Sequence, residues 1–409
     1  MKIFGTHDPA TIAQFDDVRS RAVDAALMAD GHVGYVMPIG GVAAYRDQVS
    51  VVGVGFDIAC GNAAIRTDMN LSDLGETPER IHKVLDGLAD EIAHTVSFGV
   101  GRRNQSADAP VGDPLFEDAA WSAVPEQHRK GLRVKARQQL GTVGSGNHYV
   151  DVFADETGAL WVGVHFGSRG FGHTVASGFL AMGQNKEWGA RVPERELLLD
   201  LARPIGHDYW HLMNLAGRYA YAGREWVARK VVGILGAGEE ELVHNHHNFA
   251  WKEMHDGEEV VVVRKGATPA FPGQKGFIGG SMGDDAVIVQ GTDAERAGDA
   301  ALAESQRAAL YSTVHGAGRV LSRTAAAGKR NRRTGKVISP GKVTPEMMDD
   351  WLRDKGVILR GGGLDESPHA YRRLPEVLAA QERTVEVLHT LRPLVVVMAG
   401  AEEFDPYKD

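Results

Sequence analysis

VSVVGVGFDIACG, residues 49–61, carries Val49, Val51, Val52 and Val54 with only Ser50 and Gly53 between them. A short apolar run of this kind, bounded by glycine, predicts a buried strand over 49–59. The strand runs into a glycine-flanked turn that presents Asp57 and, three residues on, Cys60. Taken singly, a cysteine is more often a small buried hydrophobe, and an aspartate at a strand end caps a turn. Deprotonated, both are metal ligands.

Outward from this stretch, strand-like and helix-like segments mix without regular alternation. On the N-terminal side lie a glycine-rich segment, 31–41, and a helix predicted over 11–28, with Ile12, Phe15, Val18, Ala22 and Leu27 spaced for one apolar face. On the C-terminal side, Thr77-Pro78-Glu79 opens a helix, threonine suiting the cap and proline the first turn. Strands are predicted over 149–153, 160–164, 260–264 and 286–290, and LVVVM at 394–398 reads as the last. Residues 191–232 read as helical, interrupted near Pro204, and 374–389 as a further helix. With no internal repeat and no linker, the expectation is one α+β domain over 1–400 with mixed sheets and surrounding helices. Its site would be a cleft lined by glycine-rich loops, and 401–409 would be a tail.

Composition narrows the class. The 409 residues hold 24% charged and 43% hydrophobic residues, which excludes wholesale disorder. One cysteine cannot form an internal disulfide. The N-terminal MKIFGTHDPA has no apolar core of signal-peptide length, and no run approaches a bilayer span, so the expected location is the cytoplasm. A net charge of −9 argues against a uniformly basic coat for nucleic acid but leaves room for a local patch.

Fifty glycines concentrate beside histidines, in GSGNH, HFGSRGFGH and HGAGR. His148 precedes one predicted strand, His165 ends another, and His244, His246 and His247 crowd into VHNHHNFA. Each alone reads as a structural or surface histidine. Together with Asp57 and Cys60 they form a mixed thiolate, imidazole and carboxylate set, suited to Zn, Mn, Fe or Co without choosing among them.

Residues 305–345 contain no acid but nine bases: Arg307, Arg319, Arg323, Lys329, Arg330, Arg332, Arg333, Lys336 and Lys342. In an acidic chain this asymmetry points to a polyanion. A second basic run spans 129–137. Arg169, Arg319 and Arg323, each near a glycine–histidine motif, are the candidate phosphate clamps. His315, in HGAGR, could attack phosphorus as a nucleophile or act as a general acid or base.

In order along nearly the whole chain, GFDIACG, GTVGSGNHYVD, VHFGSRGFGH, HHN, RKGATPA, GGSMG, HGAGRVLSR and HAY resemble the motifs of the RtcB family of RNA ligases, with ADGHVGYVMPIGGVAAY similar to its N-terminal motif. The resemblance implies a GTP- and Mn²⁺-dependent ligase that joins an RNA 3′-phosphate or 2′,3′-cyclic phosphate to a 5′-hydroxyl. It assigns one Mn²⁺ to Asp57, Cys60 and His148, and a second to Cys60, His165 and His247. His315 would take GMP. Nucleotide contacts would come from Asn147, Asp151, Asn248, Ser281, Gly316, Ala317, Gly318 and Tyr371, and RNA phosphate contacts from Arg169, Arg319 and Arg323. An archease-like activator is a partner the resemblance allows.

The chain departs from the family pattern at four places. Ala59 stands where Asp-x-Gly-Cys has glycine, Asp151 where glutamate is common, Ala286 where serine is usual, and Met398 in place of the lysine of the C-terminal Val-x-Val-Lys-Gly. Lys408 is the nearest lysine after it in the chain. The alternative activity is a metal-dependent RNA-end phosphohydrolase or cyclic phosphodiesterase that does not guanylylate.

Overall fold

The structure, a computed structural model, describes residues 1–330, 337–401 and 403. Two large sheets organise it. A five-stranded sheet runs in the order Lys2–Ile3, Asp24–His32, Ile39–Tyr45, Glu258–Lys265, Asn248–His255. An eight-stranded sheet runs Lys275–Ile278, Ala286–Gly291, Val385–Gly400, Tyr149–Ala154, Ala159–Phe166, Gly61–Asn70, Glu239–His246, with Ile358–Gly362 paired alongside Val385–Gly400. Helices pack around them, as expected for a mixed α+β fold.

The central strands of the larger sheet are apolar on both faces because both are covered. Ala159–Phe166 is buried at every position. The 32-residue helix Pro204–Leu235 lays Val227, Ala228 and Val231 on one face of this sheet, against Ile65, Val162 and Val164. Its N-terminal half packs Tyr209, Leu212 and Tyr219 with Phe171 and Phe179 of the helix Arg169–Gly183. Each such fully buried large side chain stabilises by about 1.5–3 kcal/mol.

Register then places the chemistry. Gly61 pairs with Phe166 on one side and His246 on the other, and Tyr149 pairs with His165. The residues beside these partners, Cys60, His148 and His247, therefore gather at one end of the sheet.

Several elements match their sequence reading. Thr77 caps the helix Pro78–Thr95 by accepting from the Arg80 amide, with proline at the start. The strands Tyr149–Ala154, Ala159–Phe166, Glu258–Lys265 and Ala286–Gly291 lie where expected. Others are corrected. Residues 49–59 are not one strand: Gln48–Ser50 is followed by the short helix Val51–Val54, because the Ser50 hydroxyl accepts from the Gly53 amide and Gly55 ends the turn at φ +95°. The first helix stops at Arg19, and 24–32 is a strand whose AALMA has helical propensity but pairs with Ile39–Tyr45. Residues 191–203 are not helical but contain the strand Leu198–Asp200. The helix from Leu374 ends at Ala380; Glu382 and Arg383 take positive φ, and Val385 starts a 16-residue strand.

Candidate active site

The turn before Gly61–Asn70 folds back on itself. The Cys60 amide donates to the Asp57 carbonyl (3.1 Å), and the Cys60 carbonyl accepts from the amides of His247 (2.8 Å) and Asn248 (3.3 Å). Ala59 sits at φ +60°, a left-handed conformation that costs a Cβ-bearing residue about 1–2 kcal/mol. Glycine adopts that backbone at no steric cost, and here alanine adopts it.

Around Cys60 the predicted ligands converge. Its Sγ lies 3.3 Å from His165 Nε2 and 3.6 Å from His148 Nε2, and His148 Nε2 is 3.1 Å from Asp57 Oδ2. The ligand atoms of Cys60, His148 and His165 all lie within 4.8 Å of one another, close enough to share a metal ion. Close backbone approach makes room for them: a Cβ on Gly144 would meet His148 Nδ1 at 2.2 Å, and one on Gly167 would meet Asp57 Oδ1 at 2.1 Å. His247 continues the line, its ring centroid 5.1 Å from that of His165 and 4.9 Å from that of His315.

These groups could hold a metal ion. His148 Nδ1 and His247 Nδ1 are buried with no hydrogen-bond partner. Burial pushes the His165 and His247 pKa values well below the usual imidazole range, so both rings are neutral and able to ligate. Burial, with Asp57 nearby, pushes the Cys60 thiol well up, the condition that a bound cation reverses. Burial also works against ionisation of Asp57, but the hydrogen bond and charge of His148, with the charge of Arg169, hold its carboxyl below the usual range.

His315 follows the strand Ser312–Val314, and its partner was missed by the sequence reading. Asp30, fully buried on the strand Asp24–His32, accepts from His315 Nδ1 (2.6 Å), the His315 amide (3.1 Å) and the Gly316 amide (3.4 Å), all at Oδ2. An atom receiving two backbone N–H donors is an acceptor, so His315 donates a proton from Nδ1, the tautomer whose neutral form carries the lone pair on Nε2. Arg372 in turn donates to the carbonyls of Ala29 and Gly31, on either side of Asp30. Asp30 lies in ADGH, 285 residues before His315, and a spacing of that length has no period to read.

Other predicted residues are placed as follows. Asp151 is buried and its pKa is raised well up by burial; its Oδ1, the Tyr149 hydroxyl and Ser281 Oγ are buried without hydrogen-bond partners. Asn248 accepts from the Gly266 amide (2.8 Å), Asn147 is exposed, and Gly316, Ala317 and Gly318 are buried. Met398 packs with Met282, Leu352, Val357 and Val396, so an apolar cluster occupies the place of the family's lysine. Ala286 is buried in the sheet with Phe153 and Trp161.

The candidate phosphate arginines are held by protein groups. Arg169 donates to Thr142 Oγ1 and the Gly99 carbonyl (3.3 Å each). Arg319 pairs with Glu366 (3.0 Å) and bonds the Tyr371 hydroxyl (2.7 Å); Arg323 pairs with both Asp365 (3.0 Å) and Glu366. Tyr371 also donates to Glu366 and lies under the Arg319 guanidinium. In the acid-free run, Lys329 and Lys342 are exposed, Arg307 pairs with Glu295, and Arg332, Arg333 and Lys336 lie outside the described residues, as does Lys408. In the second basic run, Arg133 and Arg137 pair with Glu117, while Lys130 and Lys135 are exposed.

A family model described as tRNA-splicing ligase RtcB matches residues 11–399. The chain is similar to the RNA-splicing ligase RtcB of Escherichia coli K12, 31% identical over 394 residues that cover 91% of this chain and 89% of that one. It is similar to the tRNA-splicing ligase RtcB of Archaeoglobus fulgidus, 32% identical over 453 residues (91% and 87% covered). It is also similar to that of Thermococcus kodakarensis, at 30% over 430 residues (86% and 82%).

Proposed function

The chain belongs to the RtcB family of tRNA-splicing ligases, and from that premise we propose that it seals RNA, joining a 3′-phosphate or 2′,3′-cyclic phosphate end to a 5′-hydroxyl end with GTP and Mn²⁺. One observation carries the reading. A histidine hydrogen-bonded through Nδ1 to a buried carboxylate stands ring to ring with His247, which lies beside His165 of a Cys60–His148–His165 group able to hold a metal ion.

The chemistry follows from these groups. His315 Nε2 attacks the α-phosphorus of GTP, the α–β P–O bond breaks and pyrophosphate leaves. The new bond raises positive charge on the ring, which the Asp30 carboxylate offsets across the Nδ1–H hydrogen bond. An oxygen of the RNA 3′-phosphate then displaces His315, capping the end with GMP. The 5′-hydroxyl attacks the RNA phosphorus and GMP departs. A cyclic phosphate must first be opened by water. Asp57, Cys60 and His148 would hold one Mn²⁺, and Cys60, His165 and His247 the other; ions bound there supply charge to the phosphoryl oxygens.

Asp151, Tyr149 and Ser281 would receive the nucleotide, since their unpaired buried polar atoms need partners. Arg169, Arg319 and Arg323 would meet RNA phosphate, the last two by exchanging carboxylate partners for phosphate.

Ligation of a 3′-phosphate RNA to a 5′-hydroxyl RNA tests the proposal. Wild-type protein should require both GTP and Mn²⁺. His315→Ala should fail on that substrate yet seal RNA whose 3′ end already carries the guanylyl cap. Opening of a cyclic phosphate without GTP, with no joining under any condition, would favour the phosphohydrolase instead.

A further inference from the structure

We infer that Arg224 is a positioning residue of the metal centre, clamping the Cys60 and His165 segments at their ligating separation, and that His244 and His246 serve to hold Arg224. The inference rests on reading the Cys–His cluster as a divalent-metal site.

Arg224 projects from the middle of the long helix Pro204–Leu235 and is fully buried. Its Nη1 donates to two carbonyls, that of Ala59 (2.8 Å) and that of Phe166 (2.6 Å). Ala59 precedes Cys60 and Phe166 follows His165, so one nitrogen ties together the two segments whose Sγ and Nε2 stand 3.3 Å apart. The remaining donors are directed to imidazoles: Nη2 to His246 Nδ1 (2.8 Å) and Nε to His244 Nε2 (2.9 Å). A planar guanidinium can serve these four acceptors at once, which a single ammonium on a flexible stem cannot.

The surroundings fix that plane. Tyr221 stacks on His246 with ring centroids 3.9 Å apart and lies edge-on to His244 at 4.0 Å. His244 Nδ1 faces Glu225 Oε1 at 3.5 Å, so the proton of that ring points away from Arg224. Among the described residues Arg224 has no carboxylate within ion-pair distance, and a buried cation without one is expensive. A fold retains such a group where its hydrogen bonds secure something else, and here all four end on, or brace, the metal-ligand segments. The crowded VHNHHN motif divides accordingly: His247 faces the site, while His244 and His246 face the clamp.

The test uses the full chain, stripped of metal, with Mn²⁺ alone as probe, followed by calorimetry and by the electron paramagnetic resonance of free and bound ion. Arg224→Lys keeps the charge but loses the fork, and Mn²⁺ affinity should fall by about 10- to 100-fold, as for other residues that orient metal ligands. His246→Leu should lower affinity about 10-fold, whereas His246→Asn, whose amide oxygen can replace Nδ1 as acceptor, should stay within about threefold of wild type. Near-ultraviolet circular dichroism of the apo-proteins checks folding. Folded Arg224→Lys protein that binds Mn²⁺ like wild type overturns the inference. If Arg224→Lys does not fold, equal affinities for His246→Leu and His246→Asn overturn it, and the predicted difference between them supports it. A flat wild-type titration would instead remove the metal reading itself, and the clamp with it.

Discussion

Asp30→Asn isolates the charge behind His315 from the geometry around it. Asp30 Oδ2 accepts from three donors, at 2.6, 3.1 and 3.4 Å, two of them backbone amides that cannot move away. Asparagine must therefore turn its carbonyl oxygen toward these donors, because its NH₂ would oppose them. Its NH₂ would then take the place of Asp30 Oδ1, which is buried and without a partner. The imidazole tautomer survives the substitution and only the negative charge is lost. Replacing a charge-assisted hydrogen bond with a neutral one costs about 1–2 kcal/mol. The Coulomb attraction to a developing cation ~4 Å away is at most ~4 kcal/mol at an effective dielectric of ~20. Histidine guanylylation should thus slow by about 30- to 1,000-fold, corresponding to ~2–4 kcal/mol. Single-turnover rapid quench with α-labelled GTP measures this rate, and Mn²⁺ titration, which should be unchanged, is the control. A rate within about threefold of wild type would refute the assigned role of Asp30.

Three further outcomes follow from the same structure. Cys60→Ala should lose the thiolate common to both metal sets, so Mn²⁺ uptake by equilibrium dialysis should fall at least about 100-fold while the apo-protein stays folded; two ions bound at wild-type affinity would contradict the ligand assignment. Glu366→Gln weakens the partner of both Arg319 and Arg323 in a buried cluster, and urea unfolding should show a loss of about 3 kcal/mol. Burial holds the His244 pKa down to about 3, so between pH 6.5 and about 3 the unfolded chain binds a proton that the native state refuses, and stability falls as pH drops. His244→Gln should reduce the stability lost between pH 7 and 5 by about 2 kcal/mol, read from denaturation midpoints at the two pH values.

Local chemistry made part of this molecule legible and tertiary pairing hid the rest. Thr77-Pro78 announced its helix because cap and first turn lie within a few residues. The GSGNH and VHNHHN motifs pointed to a candidate site because their histidines crowd at predicted strand and loop boundaries, and Cys60, His148 and His165 do come together in the fold. AALMA at 25–29 misled because its helical propensity is weak beside the strand pairing that buries it. The segment 374–389 reads as one helix from local pattern, but only Leu374–Ala380 is helical, and pairing with Ala286–Gly291 makes Val385 onward strand. Asp30 and Arg224 could not be read at all. Each acts on residues far away in the chain, and neither carries a local pattern that distinguishes it from a capping aspartate or a solvated arginine. Two of the arginines singled out for phosphate, Arg319 and Arg323, proved to have carboxylate partners 42–47 residues on, invisible to a count of local charge.

The most direct measurement is incubation of the wild-type chain with Mn²⁺ and α-labelled GTP, followed by acid and alkali treatment and by peptide mass spectrometry. One GMP per chain is expected, stable to alkali, released by acid and mapped to His315, with none on His315→Ala. Absence of any adduct on metal-loaded wild-type protein, or an adduct that maps elsewhere and survives in His315→Ala, would contradict the role of His315 as nucleophile.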